Sequence, residues 1–387
     1  PASQCPDIHR DMTMRRVWRV GVIDHCKNKA KGSHGVHLAF SGLPNAEIVA
    51  VADPDTESRD ALQRDTAAAR QYAEWEDLLG HEKPDIICLC SRLPTHHVAP
   101  LVGSVAAGCH IYCEKPMAID LADADRMVAA AEAAGVHLAV AHLARYAPVF
   151  QHTRELIRSG GIGRPLSVHC RGKEDNRGGG EDMLVLGSHL LDLARFFFGD
   201  PQWVFGHVTT EGRDTVPEDA HDPTEPVGRV AGDAVVALYG FADGVRGHFE
   251  SRRDLYDEGD VRMGITVIGA EATLSVRYDD NRVLQIRRSR RPLEEGGDRE
   301  VIPTPVPSDP PGARPLYTTK GVGGYFAINN RLAALDLIAA IEEGREPLAS
   351  GSDAAWSLEM VHGVYASHFH REALPLPLAD RRHPLDG

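Results

Sequence analysis

Apolar residues in the first third of the chain come in short unbroken runs, separated by longer stretches of helical period. Residues 18–23, 47–52, 86–89, 111–113 and 136–141 read as buried strands. Between them the spacing predicts helices over 56–69, 97–107 and 121–134, and a shorter helical pattern through His37, Leu38 and Phe40. Apolar strands alternating with amphipathic helices are βαβ units, so this half is expected to fold as a doubly wound parallel sheet covered on both faces, an α/β domain.

After Arg145-Tyr146-Ala147-Pro148 one more helix, 149–158, closes on Ser159-Gly160-Gly161, and then the pattern changes. Strands dominate: 166–171, 203–210, 234–239, 245–250, 265–268, 273–278 and 283–287, with helices only at 188–198, 326–343 and 353–370. Successive strands with few helices predict an α+β domain built on a mixed or antiparallel sheet. The expected division is a dinucleotide-binding (Rossmann) domain over 16–144 and a substrate-binding and oligomerisation domain over 145–387. The Pro-, Gly- and charge-rich connections 211–228 and 291–314 read as mobile loops or oligomer arms, and the polar first sixteen residues as a loose tail.

Composition narrows the partners. The 387 residues carry a formal net charge of -14, which argues against binding nucleic acid or anionic lipid. No run is long enough to span a bilayer and Pro1 to Arg16 lacks the apolar centre of a signal peptide, so a cytoplasmic location is expected. The seven cysteines are scattered and partly embedded in strands, which argues against a disulfide framework. Cys88-x-Cys90, expected to alternate faces of its strand, has no second pair at zinc spacing. His169, Cys170 and Glu174 match no ligand spacing with His189 either, so no metal is expected.

Two stretches carry candidate chemistry. In Ala106-Ala107-Gly108-Cys109-His110-Ile111-Tyr112-Cys113-Glu114-Lys115-Pro116, a lysine stands where a buried strand empties into a proline-fixed turn, a setting that gives an ammonium one direction. The other is the first strand-to-helix turn. A dinucleotide pyrophosphate wants glycines there, but the chain runs Asp24-His25-Cys26-Lys27-Asn28-Lys29-Ala30-Lys31-Gly32-Ser33-His34-Gly35. Only Gly32 and Gly35 keep the spacing, three lysines are free to answer phosphate charge, and Asp24 would repel it. Asp53, at the end of the second strand, is placed to hold an adenosine ribose and to disfavour a 2'-phosphate, which selects NAD over NADP. The competing reading is that Asp53-Pro54-Asp55 turns the chain and caps the next helix.

With Asp53, the Glu-Lys-Pro run and the later Gly187-Ser188-His189-Leu190-Leu191-Asp192 in one order, the chain resembles the glucose-fructose oxidoreductase / inositol dehydrogenase / rhizopine catabolism (Gfo/Idh/MocA) family from Trp18 to His370. The resemblance implies a Rossmann domain, a second domain with an open-faced sheet used in homo-oligomers (dimer or tetramer), and NAD(P)-dependent oxidation or reduction of sugars or polyols. It assigns Lys115 and His189 to catalysis. It places Asp24, His25, Cys26, Gly32, Gly35, Asp53, Cys90, Ser91, Arg92, Leu93, His96, His97, Glu114, Lys115 and Arg145 around the cofactor. Two positions depart from its pattern: Leu143 where an amide is usual, and Val185 where a carboxylate usually stands four residues before the histidine.

Hydride transfer from a carbinol needs a base for the hydroxyl proton and a positive group for the developing alkoxide, roles that fit His189 and Lys115. Glu181 and Asp182, on what reads as a flexible glycine-rich loop, join Lys115, Arg145, His189 and Tyr325 as candidates to hold a sugar. The two carboxylates are also placed to substitute for the one missing at Val185. The same residues admit two other readings: transient oxidation that triggers glycoside cleavage or epimerisation with NAD recycled in the site, and a sugar-binding protein without hydride chemistry.

Overall fold

A computed structural model describes residues 16–24, 34–256, 263–278, 282–289, 299–306, 308–316 and 321–386. The first sheet holds β1 (Trp18–Ile23), β2 (Ala46–Ala52), β3 (Arg70–Tyr72), β4 (Ile86–Leu89), β5 (His110–Cys113) and β6 (Leu138–Val140), all parallel, in the order β3-β2-β1-β4-β5-β6. The helices α1 (Thr56–Thr66), α2 (Trp75–Glu82), α3 (Val98–Ala106) and α4 (Leu121–Ala134) are the crossovers. Their ends are set locally. Asp55 caps α1 by accepting from the Ser58 N–H, Asp120 caps α4 in the same way, and α4 stops at Gly135, which takes the left-handed conformation.

The strand order reverses between β1 and β4, so the carboxyl edge opens a crevice there. The pattern through His37, Leu38 and Phe40 forms only a 3₁₀ turn, Val36–Leu38. Strand β3 and helix α2 escape a reading by periodicity because they are short and polar. They are fastened through tertiary contacts, Tyr72 and Arg70 both reaching the buried Glu82. Cys88 and Cys90 do not alternate faces; residues two apart on a strand share one, and their Sγ atoms lie 3.5 Å apart.

Beyond α5 (Pro148–Arg158), β7 (Pro165–Arg171) enters a ten-stranded mixed sheet. A helical turn, α6 (Gly180–Asp182), a π turn (Met183–Gly187) and α7 (Ser188–Phe198) precede β8 (Trp203–Thr210), β9 (Arg213–Asp214), β10 (Ala234–Gly240), β11 (Arg246–Arg252), β12 (Gly264–Gly269), β13 (Ala272–Arg277), β14 (Leu284–Arg288) and β15 (Glu300–Ile302). Then come α8 (Gly321–Glu343), α9 (Gly351–His370) and β16 (Leu374–Pro375). The order is β15-β14-β13-β12-β7-β11-β10-β8-β16, with β9 on β8 and only β7 and β11 parallel. Burial alternates along these strands, one face packed on α7 and α9 and the other open.

The two sheets are tied together by buried polar groups. Helix α8 returns to the first core, packing Ala333, Ala334, Leu337 and Ile338 with β1 residues such as Val20 and Val22. Its Asn330 accepts from Tyr112 Oη at 2.7 Å and donates to the His34 carbonyl at 2.8 Å. Arg145, just after β6, is 4% exposed; its Nε and Nη2 both donate to Asp192 on α7, and Nη1 lies 2.9 Å from Asp353 Oδ2.

Removing Asp192 leaves the buried Arg145 guanidinium with two unmet N–H groups and Asp353 as its remaining counter-charge. Asp192→Ala is expected to lower the free energy of unfolding by about 3–5 kcal/mol, measured by urea denaturation.

Candidate active site

Glu114 and Lys115 leave the carboxyl end of β5, fixed by the strand behind them. Glu114 is fully buried; its Oε1 accepts from the Lys115 backbone N–H at 2.8 Å and its Oε2 lies 3.2 Å from His34 Nδ1. Burial alone would raise this carboxyl, but His34, Lys115 and Arg92 hold it below the ordinary value. Lys115 is 5% exposed, and its Nζ donates to the Val185 carbonyl oxygen at 2.9 Å. Burial draws the ammonium down to about 8, with Arg92 and Arg177 pulling the same way and Glu114 and Glu225 opposing.

His189 stands at the start of α7 with its ring stacked on Tyr278 (5.9 Å between centroids) and edge-on to His142 (6.2 Å). Burial, and then the nearby Lys115 and His142, push it well below the usual histidine value, so it is a neutral imidazole at pH 7. Its Nδ1 is buried with no hydrogen-bond partner among the described residues. Neither Glu181 nor Asp182 stands in for the missing carboxylate. Glu181 Oε1 accepts from the Thr224 backbone and hydroxyl, and Asp182 Oδ2 accepts from Ser251 Oγ at 2.5 Å and the Glu174 N–H at 3.1 Å. Asp182 is completely buried, which raises its pKa to about 6. The glycine-rich loop that reads as flexible is tightly packed: Gly179 has φ +86°, and a Cβ on Gly180 would meet the Ala231 carbonyl at 2.1 Å.

Around the crevice, Ser91 Oγ accepts from the Leu93 N–H, and Cys90 and Ser91 are buried. His97 is also buried and faces two carbonyls, with Nε2 2.8 Å from Ser91 O and Nδ1 2.9 Å from Met117 O. It staples the loop after β4 to the turn after Lys115. Asp24 has φ +60°, the conformation a glycine would take, and its Oδ2 lies 3.4 Å from His96 Nδ1. Burial, then Asp53, raise the Asp24 carboxyl to about 6, with His96 opposing. Asp24 and Asp53 line a 250 Å³ cavity with Trp75, Thr95 and His96. Asp53 Oδ1 also accepts from the Asp55 N–H at 2.8 Å, so the residue turns the chain while facing the crevice.

Gly35 opens the 3₁₀ turn with φ +73°; His25, Cys26 and Gly32 lie outside the described residues. The guanidinium of Arg145 is directed into the seam between the sheets, where Asp192, Asp353 and the Leu348 carbonyl take its N–H groups. Tyr325 stands 6.4 Å from Tyr278 under the Arg282 guanidinium, in the aromatic wall beside His189. Among the described residues no cluster of three His, Cys, Asp or Glu is arranged to hold a metal ion.

Four neighbours of the site went unnoticed in the sequence: His142, Tyr278, Arg282 and Glu225. His142 carried a usable signal, since it follows β6 at the carboxyl edge where ligands bind in such sheets. Glu225 carried none, because its partners are tertiary: Arg92, 133 residues away, and Arg177.

Residues 30–142 match the model of an oxidoreductase family with an NAD-binding Rossmann fold, and residues 150–275 that of the GFO/IDH/MocA C-terminal domain. D-apiose dehydrogenase from Paraburkholderia graminis is 30% identical over 345 residues, 86% of this chain and 84% of that protein. The 1,5-anhydro-D-fructose reductase of Ensifer adhaerens is 28% identical over 89% of this chain and 90% of its own length. The structure of levoglucosan dehydrogenase in complex with NADH and levoglucosan is alike in fold, with a TM-score of 0.73 at 18% identity over 94% of this chain and 100% of that one.

Asp24 gives the crevice a pH dependence. Its carboxyl ionises as pH rises through about 6, adding negative charge at the end of β1, so NAD affinity is expected to fall across that range. Asp24→Asn should flatten the profile and tighten binding roughly three- to tenfold near neutral pH, measured by calorimetric titration.

Proposed function

Because this chain belongs to the Gfo/Idh/MocA oxidoreductases with an NAD-binding Rossmann domain, we propose that it oxidises or reduces a carbinol or keto group of a sugar or polyol, with Lys115 and His189 acting on the oxygen. The observation that carries this reading is the meeting of a buried ammonium, just past β5, and a neutral imidazole, at the start of α7, at the carboxyl edge of the first sheet.

The crevice suits the dinucleotide. The 250 Å³ cavity at the reversal of strand order is lined by Asp53 and Asp24, fitting the adenosine ribose, and Cys90 to Leu93, His96, His97 and Glu114 lead from it to Lys115. The paired carboxylates favour NAD over NADP. When bound, the nicotinamide supplies a hydride acceptor. The chain's own residues do the rest. His189, neutral through burial, takes the hydroxyl proton; Lys115, protonated below about pH 8, donates to the oxygen as negative charge develops. Val185 occupies one of the three ammonium hydrogens and so aims the others.

Three coarser features complete the reading. The open face of the large sheet, where Phe205 and Val236 are 40% and 50% exposed, supports a homo-oligomer, dimer or tetramer. Five buried cysteine thiols among the described residues support a reducing, cytoplasmic setting. No helix among the described residues is long and apolar enough to cross a membrane.

Purified protein incubated with NAD and a panel of sugars and polyols is expected to bind NAD and form NADH; no NAD binding at millimolar concentration, or cleavage of a glycoside with the cofactor's redox state unchanged, would refute net oxidation. Lys115→Ala is expected to reduce kcat about 10²–10⁴-fold while NAD affinity changes far less. In the unmutated enzyme, kcat for oxidation should decline as pH rises through about 8, where Lys115 loses its proton, and initial-rate profiles test this.

A further inference from the structure

Beside Lys115 two arginines converge on one internal carboxylate. Glu225 Oε1 accepts from Arg177 Nη1 at 3.0 Å, and its Oε2 accepts from Arg92 Nη2. Arg92 follows β4 in the first sheet, Arg177 belongs to the glycine-rich loop of the second, and Glu225 sits on the connection between β9 and β10. The side chains of Arg92 and Glu225 are only 4% and 6% exposed, and that of Arg177 is 15% exposed. The connection is gripped on both sides of this contact. Thr224 donates to Glu181, and Gly228 lies against Ile119 of the first domain.

Lys115 stands between two cations, Arg92 and Arg177, and two anions, Glu114 and Glu225, next to two imidazoles that burial keeps neutral.

From this arrangement, and resting on the redox reading above, we propose that the Arg92–Arg177 pair is the seat of a substrate carboxylate, that Glu225 holds the seat in its absence, and that the substrate is therefore a sugar acid, an aldonate or uronate. A buried guanidinium pair cannot be left without a counter-charge, so Glu225 can be exchanged only for another anion. A carboxylate meets that condition and accepts from both arginines as Glu225 does. A neutral polyol offers no such exchange and leaves Glu225 on both arginines. The reaction balances as before: the carbinol C–H leaves as hydride to NAD, the O–H proton goes to His189, and the carboxylate is unchanged.

The test compares matched pairs, gluconate with sorbitol and glucuronate with glucose, on full-length protein with NAD. The acids are expected to exceed the neutral partners by about tenfold or more in kcat/KM, and Arg177→Gln to remove that preference while NAD affinity stays the same. Glu225→Gln, which withdraws the internal competitor, is expected to lower the KM for the acid. A preference for the neutral sugars, an equal loss on both classes in Arg177→Gln, or an acid KM that rises or holds in Glu225→Gln would overturn the anion seat and leave the oxidoreductase reading standing. Absence of NAD binding would overturn both.

Discussion

A nearly dry ammonium on the seam between two sheets is the constraint from which the rest of the site follows. Lys115 loses most of its hydration, and a charge in that position persists only if fixed acceptors replace the water. One acceptor, the Val185 carbonyl, comes from the π turn before α7. The compensating negative charges come from Glu114, next in the chain, and Glu225, on a long connection. Three segments far apart in sequence therefore have to be held in register. This explains why the seam itself is polar and fully engaged: Arg145 locks α7 and α9 against the end of the first sheet, and Asn330 locks α8 to Tyr112 and His34.

The substitution of valine at 185 changes the electrostatics more than the geometry. A carboxylate there would have placed a full negative charge near His189 and Lys115, raising both pKa values. A backbone carbonyl offers a partial charge and a fixed direction. The consequence is a histidine that burial keeps neutral, available as a base without having to shed a proton, and a lysine drawn down to about 8. His189 is oriented instead by its faces, between Tyr278 and His142. Ring packing restricts a side chain without charging it, so orientation and proton affinity are separated here.

What the sequence disclosed follows the physics of each signal. The buried strands carry unbroken apolar runs and the helix from Ser188 an apolar stripe, and they form where that pattern places them. Strand β3 and helix α2 depend on Glu82 gathering Arg70 and Tyr72, a contact no local window contains. Lys115 was legible because strand, turn and charge are contiguous. The acidic loop was misread because Glu181 and Asp182 look like solvated carboxylates until Thr224 and Ser251 fold against them. Glu225 was illegible for the same reason in reverse: a glutamate among prolines and charges reads as surface, and only the tertiary fold turns it inward.

The same logic bears on why the acceptor for Lys115 is a main-chain atom. A π turn widens the helical repeat and takes backbone carbonyls out of the regular i to i+4 ladder, so one of them can be aimed at a neighbour. Such an acceptor cannot be removed by changing the side chain, and it adds no net negative charge beside the arginines. A carboxylate at 185 would add a further counter-charge beside Lys115. A carbonyl does not, and the carboxylate that bonds both Arg92 and Arg177 is Glu225, carried on a connection rather than on a strand or helix. Of the two carboxylates that balance Lys115, Glu225, on the less regular segment, is the one bonded to both arginines.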